Sequence, residues 1–179
     1  MIIVQARMGS TRLPGKVMMD LGGQPMIRVL HDRIQGTGLR FVYAIPEKDR
    51  TPLGHYLESI GGEVFCWDGP EDDVAGRFKH CIMAAPEWPD IGVFCRVCAD
   101  SPYAPVEFAA MAAGIAAYKG YGLIQTQEGS IEAAAVQLFL DALPKMTPEE
   151  REHVLVYFRR HRLVVDTAED MERVRAYAG

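Results

Sequence analysis

The sequence predicts an α/β protein with a mostly parallel, mixed sheet flanked by helices. Short apolar runs rich in β-branched residues alternate with segments of helical spacing, and this alternation is typical of parallel strands joined by helical crossovers. The chain has 179 residues, of which 49% are hydrophobic and 24% charged. This length and composition predict a single domain, 1–179, whose core needs neither disulfides nor a structural metal.

The predicted strands are short apolar runs bounded by turn residues, and the predicted helices have apolar residues three and four positions apart. Six strands are expected: Met1–Ala6, Leu39–Ile45, Glu63–Trp67, Ile91–Cys98, Tyr121–Thr126 and Arg162–Val165. Four helices are expected between them: Pro25–Ile34, Thr51–Ser59, Glu71–Ala85 and Val106–Tyr118.

Capping signals predict two further helices near the end of the sequence. Thr147-Pro-Glu-Glu150 combines an N-cap threonine, a proline at the first helical position and a glutamate at N3, so a helix to about Arg160 is expected. A similar signal begins at Thr167, directly after the last predicted strand. The segment Gln125–Ala135 stays unassigned, because a Gly-Ser pair interrupts it and Ile131–Val136 could be either a strand or the start of a helix.

Composition excludes several classes of function. The formal net charge of −5 and the pI near 5.5 argue against broad binding to nucleic acid or to an anionic membrane. The longest nearly apolar stretch, Phe108–Tyr118, is too short to span a bilayer. Because no basic residues precede the first apolar run, no signal peptide is expected, and the protein is predicted to be cytoplasmic.

The four cysteines are Cys66, Cys81, Cys95 and Cys98, and the last two form a C-x-x-C pair. That pair lies in a predicted strand, where residues three apart face opposite sides of the sheet. Redox C-x-x-C motifs open helices instead, and no second ligand pair is nearby. We therefore interpret these cysteines as core thiols rather than as a zinc or redox site.

The loop after the first predicted strand, Arg7–Lys16, holds three cations, two glycines and two hydroxyl residues. Glycines allow close backbone approach, and Arg and Lys side chains suit phosphate oxygens, so the loop is interpreted as a phosphate cradle. It is not a Walker A motif, because five residues separate Gly9 from Gly15 and Val17 follows the lysine. The residues that follow predict a short extended excursion with a Gly-Gly turn. A solvated basic surface loop is the alternative.

Two aspartates, Asp100 and Asp166, follow predicted strands directly. Both are expected at the carboxyl edge of the sheet, where open α/β sheets bind ligands. Carboxylates facing bound phosphates suit Mg²⁺, which usually takes one or two protein carboxylates. The alternative is that each aspartate caps a helix or forms a turn.

Five segments together resemble a known family, in the same order along the chain. They are Gln5-Ala-Arg-Met-Gly-Ser-Thr-Arg-Leu-Pro-Gly-Lys16, Glu71-Asp-Asp-Val74, Ala99-Asp-Ser-Pro102, Glu150-Arg-Glu-His-Val154 and Val165-Asp-Thr-Ala-Glu-Asp170. The sequence resembles the spore coat polysaccharide biosynthesis protein F family, which is similar to CMP-KDO synthetases and other cytidylyltransferases. The resemblance runs from the first strand to the final helix.

This resemblance implies a glycosyltransferase-A-like nucleotidyltransferase fold. It also implies Mg²⁺, an NTP substrate with CTP favoured, a sugar or sugar-acid acceptor, and release of pyrophosphate. A homodimer stays open. Ala6 and Arg7 are expected near the base, and Arg7, Gly9, Ser10, Arg12 and Lys16 at the triphosphate. The expected catalytic residues are Lys16, Arg12 and Asp100, and the expected metal ligands are Asp100 and Asp166. Cys98 is expected near the base, where relatives tend to have a polar residue.

Asp73, Arg77 and Arg96 are candidates for acceptor or ribose contacts. For Asp73 and Arg77 the alternative is a surface charge pair, since they lie four residues apart on a predicted helix. Arg96 lies in an otherwise apolar strand, so a partner anion is expected, either structural or bound. For His153, within the predicted helix after Thr147, a structural contact is favoured over catalysis.

Two other functions stay open. The stretch between Asp100 and Glu150 is shorter than in the relatives, which favours a non-catalytic nucleotide-binding or scaffolding protein of a polysaccharide pathway. A related transferase could instead use GTP or UTP, or move a sugar from an activated donor. The products distinguish them, because nucleotidyl transfer releases pyrophosphate and sugar transfer releases a nucleoside diphosphate.

Overall fold

A computed structural model describes residues 1–119, 123–127 and 129–160. Its strands are β1 (Ile2–Gln5), β2 (Phe41–Pro46), β3 (Glu63–Trp67), β4 (Val93–Cys98), β5 (Ile124–Gln125) and β6 (Ile131–Ala135). They form one sheet in the order β3-β2-β1-β4-β6-β5. The first four are parallel, β6 pairs antiparallel with β4, and β5 pairs antiparallel with β6. The predicted mixed, mostly parallel sheet is confirmed.

Helices cover both faces of this sheet. They are α1 (Met26–Gln35), α2 (His55–Ser59), α3 (Val74–Ala84), α4 (Phe108–Lys119), α5 (Val136–Ala142), α6 (Pro148–Glu152) and α7 (Val156–Arg160). Because side chains alternate along a strand, β1 contributes Ile2 and Val4 to one core and Ile3 to the other. The first core packs against α1, α2 and α4, and the second against α3 and α5.

Two of the expected helices begin later than predicted. Thr51 precedes a proline and is extended (φ −118°, ψ 125°), so regular helix begins only at His55. The helix predicted from Glu71 begins at Val74, because Asp73 is its N-cap and accepts a hydrogen bond from the Gly76 amide at 2.9 Å.

The single helix expected from Thr147 to Arg160 is wrong. The chain leaves the helix at His153 and re-enters it at Val156. Between them Val154 (φ 27°) and Leu155 are fully buried in the second core. Core packing of these two side chains therefore outweighs helix continuation, which local propensity alone favours only weakly.

The unassigned segment contains an internal strand and leads into a helix. Residues Ile131–Ala135 pair with both β4 and β5, and α5 follows at once. The predicted strand Tyr121–Thr126 appears as the two residues of β5. The predicted strand Arg162–Val165, the helix signal at Thr167 and Asp166 lie outside the described residues.

The excursion predicted after the cation loop is present, but it begins with a helical turn instead of an extended segment. A 3₁₀ turn, Lys16–Met18, opens it, and an Asp20–Pro25 bridge then closes a turn at Gly22 and Gly23, both with positive φ. Over the part of the chain that the structure describes, no helix is long and apolar enough to cross a membrane.

Candidate nucleotide-binding cleft

The site begins where β1 and β4 end. These neighbouring parallel strands are in register at Gln5 and Cys98, and the Ala99 amide donates to the Gln5 carbonyl at 3.0 Å. The loop that follows β1 and the Asp100 turn that follows β4 therefore meet at the same edge of the sheet. This is the edge where open α/β sheets bind ligands.

Backbone contacts fix the shape of the loop 7–16. The Met8 amide donates to Oδ2 of the buried Asp49 at 2.8 Å, which ties the loop to the residues after β2. The Gly15 amide donates to the Met8 carbonyl at 2.9 Å and closes the loop on itself. Gly15 has φ 70°, a left-handed conformation that a side chain disfavours, so glycine is required at this position.

A cleft of about 400 Å³ opens above this edge. It is lined by Gln5, Arg7, Ser10, Thr11, Arg12, Lys16, Val17, Arg96, Cys98, Ala99, Asp100, Glu152 and His153. Seven candidate residues from the sequence thus converge: Arg7, Ser10, Arg12, Lys16, Arg96, Cys98 and Asp100. Ala6 is buried at 1% exposure, and Gly9 is exposed and does not line the cleft. Asp73 and Arg77 do not line the cleft.

Carboxylates of the chain hold two of the loop cations. Lys16 Nζ contacts Asp100 Oδ2, so the candidate phosphate lysine and the candidate metal carboxylate form an ion pair. Arg7 lies 3.8 Å from Glu71, which also contacts Lys48. All of these side chains are partly exposed, so water and salt screen the pairs and each contributes little to stability. A bound triphosphate offers the same cations a stronger, multiply charged partner.

The surface charge pair considered for Asp73 and Arg77 is wrong. Arg77 is 0% exposed, and its three guanidinium nitrogens have no hydrogen-bond partner among the described residues. Burial, and after it the nearby charge of Arg7, lowers the pKa of Arg77 to about 10. Asp73 instead caps α3 and accepts from Arg151 of α6 at 2.7 Å.

Arg96 has the anionic partner that its position in an apolar strand predicts. Its guanidinium contacts the carboxylate of Glu132, directly opposite on β6, and its Nε donates to Gln5 Oε1 at 2.8 Å. Glu132 is 1% exposed and also contacts Arg159 of α7. The partner of Arg96 in this structure is therefore a residue of the sheet.

The cysteines are free thiols in the structure: Cys81 and Cys95 are buried, as a core position predicts, whereas Cys66 and Cys98 are half-buried. Cys95 packs in the first core while Cys98 lines the cleft, which places the C-x-x-C residues on opposite faces. Burial raises the pKa of the Cys98 thiol. Cys98 is therefore a neutral cleft residue near pH 7 and not an activated nucleophile.

Sequence reasoning missed Gln5, Thr11 and Glu152 and placed His153 inside a helix. The register of β1 and β4 was the signal for Gln5, since that side chain neighbours Cys98. Glu152 and His153 reach the cleft because α6 ends there, and only the packing of α6 against α3 brings that end close. The resemblance of the segment Glu150-Arg-Glu-His-Val154 to the family was the one sequence signal for these two residues.

The described residues contain no group of three or more His, Cys, Asp or Glu side chains able to hold a metal ion. Asp100 is the one candidate metal carboxylate among them, because Asp166 lies outside residues 1–160. A single carboxylate suits Mg²⁺ when phosphate oxygens and water supply the other ligands, and it does not suit a preformed protein cage. The donor set therefore fits a divalent metal that binds together with a nucleotide.

Solved structures with this fold share its architecture. A cytidylyltransferase from Leptospira borgpetersenii superimposes with a TM-score of 0.74 at 23% identity, over 96% of this chain and 82% of that one. The CMP:2-keto-3-deoxy-manno-octonic acid synthetase complexed with CTP gives a TM-score of 0.66 at 15% identity, over 99% and 97%. These likenesses show that the chain has the nucleotidyltransferase fold.

A family model narrows the class. The cytidylyltransferase family model matches residues 1–178, so the chain belongs to that family. It is 27% identical to the spore coat polysaccharide biosynthesis protein SpsF of Bacillus subtilis, over 98% of this chain and 85% of that protein. It is 31% identical to the 3-deoxy-manno-octulosonate cytidylyltransferase of Hahella chejuensis, over 59% of this chain and only 40% of that enzyme.

Proposed function

We propose that this protein transfers a cytidylyl group from CTP to a hydroxyl of a sugar or sugar acid, with Mg²⁺ bound and with release of pyrophosphate. The observation that carries the proposal is the convergence of Arg7, Arg12, Lys16 and Asp100 on one cleft at the carboxyl edge of the sheet. The SpsF relative supports a product used for a surface polysaccharide such as a spore coat. Four free thiols are consistent with a cytoplasmic protein.

The reaction needs positioning and charge stabilisation rather than covalent catalysis. An acceptor hydroxyl oxygen attacks the α-phosphorus in line and loses its proton to water, and the bond from the α-phosphorus to the bridging oxygen breaks to release pyrophosphate. Arg12 and Lys16 bind the leaving pyrophosphate and stabilise its developing charge. Asp100 would hold the metal, which supplies Lewis-acid charge neutralisation when bound.

The ion pair between Lys16 and Asp100 makes the two binding events interdependent. A triphosphate that takes Lys16 frees the Asp100 carboxylate for the metal. The nucleotide and the metal are therefore expected to bind together.

The test measures pyrophosphate release from CTP with a panel of sugars and sugar acids, with MgCl₂ or with EDTA. Lys16→Ala and Asp100→Asn are each expected to lower turnover at least about 100-fold, the effect of losing one charge-stabilising group. Lys145→Ala and Asp141→Asn change the same residue types at exposed positions outside the cleft and are expected to retain activity.

Product analysis separates the alternatives. A CMP-sugar with pyrophosphate supports the proposal, whereas a nucleoside diphosphate indicates sugar transfer. Near-normal turnover in Lys16→Ala or Asp100→Asn would remove that residue from the proposed machinery. CTP binding without pyrophosphate release for any acceptor would favour a non-catalytic nucleotide-binding protein.

A further inference from the structure

Four side chains form a row on one face of the sheet, directly below the cleft. Gln5 and Cys98 are register partners on β1 and β4, and both line the cleft. Arg96 is two residues before Cys98 and so shares its face of β4. Glu132 is directly opposite Arg96 on β6. The row therefore begins at the buried Glu132 on β6, crosses Arg96 on β4 and ends at Gln5, the last residue of β1.

Arg96 donates hydrogen bonds to both of its neighbours in this row, Glu132 and Gln5. Glu132 contacts one side of the Arg96 guanidinium, and Arg96 Nε donates to Gln5 Oε1 at 2.8 Å. A guanidinium is planar and rigid, so two contacts on different nitrogens fix its orientation. Arg159 holds the other carboxylate oxygen of Glu132 and immobilises the carboxylate in turn.

This arrangement settles which way the Gln5 amide points. The two ends of a glutamine amide have nearly the same shape, and only the hydrogen-bond network distinguishes them. Arg96 can only donate, so the Gln5 oxygen must face it and the NH₂ group must point elsewhere. Within residues 1–119, 123–127 and 129–160 that nitrogen donates to no acceptor, and it is not fully sealed from solvent.

We propose that Gln5 determines nucleobase specificity, its amide N–H groups donating to acceptor atoms of the base, with Arg96 and Glu132 as the residues that position it. This inference rests on the proposed function and names the residue that selects its nucleotide. The phosphates engage Arg12 and Lys16 of the loop, which leaves the uncharged strand ends, Gln5 and Cys98, for the base.

A donor-only amide distinguishes the two pyrimidines. Cytosine presents two neighbouring acceptors, O2 and N3, whereas N3 of uracil carries a hydrogen and repels a donor. Cys98, the neighbour of Gln5, is a neutral thiol that is only a weak donor and a weak acceptor. Gln5 is therefore the group in this row able to favour CTP over UTP.

The test is calorimetric binding of CTP and of UTP in MgCl₂, without any acceptor, so that turnover does not enter. The unaltered protein is expected to bind CTP about tenfold more tightly than UTP, which corresponds to one or two hydrogen bonds. In Gln5→Ala the CTP affinity is expected to fall about tenfold and the CTP:UTP ratio to approach one. Arg12→Ala, on the phosphate side, is the control and is expected to weaken both nucleotides equally.

The positioning role has its own variant. Arg96→Met frees the Gln5 amide to rotate, so the CTP:UTP ratio is expected to fall as in Gln5→Ala. The double variant is expected to lower the ratio no further, because both changes remove the same interaction. A general structural defect would instead weaken both nucleotides by one factor and leave the ratio intact. An unchanged ratio in Arg96→Met rejects the positioning role.

The outcome for Gln5 is separable from that for the proposed function. An unchanged CTP:UTP ratio in Gln5→Ala overturns the inference even if the protein releases pyrophosphate. A ratio that collapses in Gln5→Ala supports it even if no acceptor yields pyrophosphate, in which case only the transfer reaction fails. If the unaltered protein binds neither CTP nor UTP, the nucleotide site itself is rejected, together with the inference.

Discussion

Arg77 and Arg96 show how differently one residue type behaves in the interior of a protein. The Arg96 guanidinium is buried beside the carboxylate of Glu132 and fixes the amide of Gln5. Arg77 is more deeply buried, and no group among the described residues accepts its hydrogens. Burying a cation without a hydrogen-bond partner is costly, and Arg77 has none among the described residues, so its charge is expected to lower the stability of the fold.

Arg77→Met tests that interpretation at the level of one side chain. Methionine keeps an unbranched, flexible apolar stem and removes the charge, so the free energy of unfolding is expected to stay constant or rise by about 1–4 kcal/mol. Urea denaturation measures the free energy of unfolding. Arg77→Lys keeps a buried charge, so this control variant is expected to be no more stable than the unaltered protein. A loss of more than about 1 kcal/mol in Arg77→Met would show that the guanidinium has a stabilising partner in solution.

At the scale of elements, α6 is a helix of five residues that cannot be stable alone. Its capping box gives it a defined start: the Glu150 amide donates to Thr147 Oγ1 at 3.3 Å, and the Thr147 amide donates to Glu150 Oε2 at 2.9 Å. Arg151 joins it to Asp73 at the start of α3. Because α6 ends at Glu152, which lines the cleft, the position of this part of the cleft wall depends on the local stability of α6.

Thr147→Ala removes the side-chain half of that cap. The free energy of unfolding is expected to fall by about 1 kcal/mol, measured by urea denaturation. Thr147→Ser restores a hydroxyl of the same reach and is expected to recover most of the loss. Equal stability of the alanine and serine variants would mean that the cap contributes nothing in solution.

Local signals predicted most elements, and long-range packing explains the failures. The capping box marked the helix start at Thr147 correctly, because a cap depends on neighbouring residues only. The strand Ile131–Ala135 could not be distinguished from a helix start, because its alanines carry little strand signal and it pairs with β4, far away in sequence. The break at Val154 likewise reflects burial in the second core.

At the scale of the whole molecule, the free protein neutralises its own site. Asp100 contacts Lys16 and Glu71 lies 3.8 Å from Arg7, so two of the three loop cations already have carboxylate partners. Under the proposed function, a nucleotide with its metal is expected to replace these internal partners. The ligand is therefore expected to bind the folded state alone and to stabilise the whole fold.

Thermal unfolding measures that linkage. At a CTP concentration 100 times the Kd, the expected stabilisation is about 2.7 kcal/mol. The rise in Tm is expected to be larger with MgCl₂ than with EDTA, and larger for CTP than for UTP, GTP or ATP. Lys16→Ala is expected to leave the Tm of the free protein nearly unchanged, since its ion pair is exposed, and to abolish the shift. An undiminished shift in that variant would contradict phosphate binding by Lys16.

The amino-acid sequence was enough to predict the α/β class, the first four strands and the cation loop that follows the first of them. These follow from periodicity and from local turn and loop chemistry, which act over a few residues. Three features became visible only in the folded chain: Gln5 faces Arg96, Arg77 is buried and Glu152 reaches the cleft. Each of these depends on strand register or helix packing between residues far apart in the chain, and no local pattern encodes such contacts.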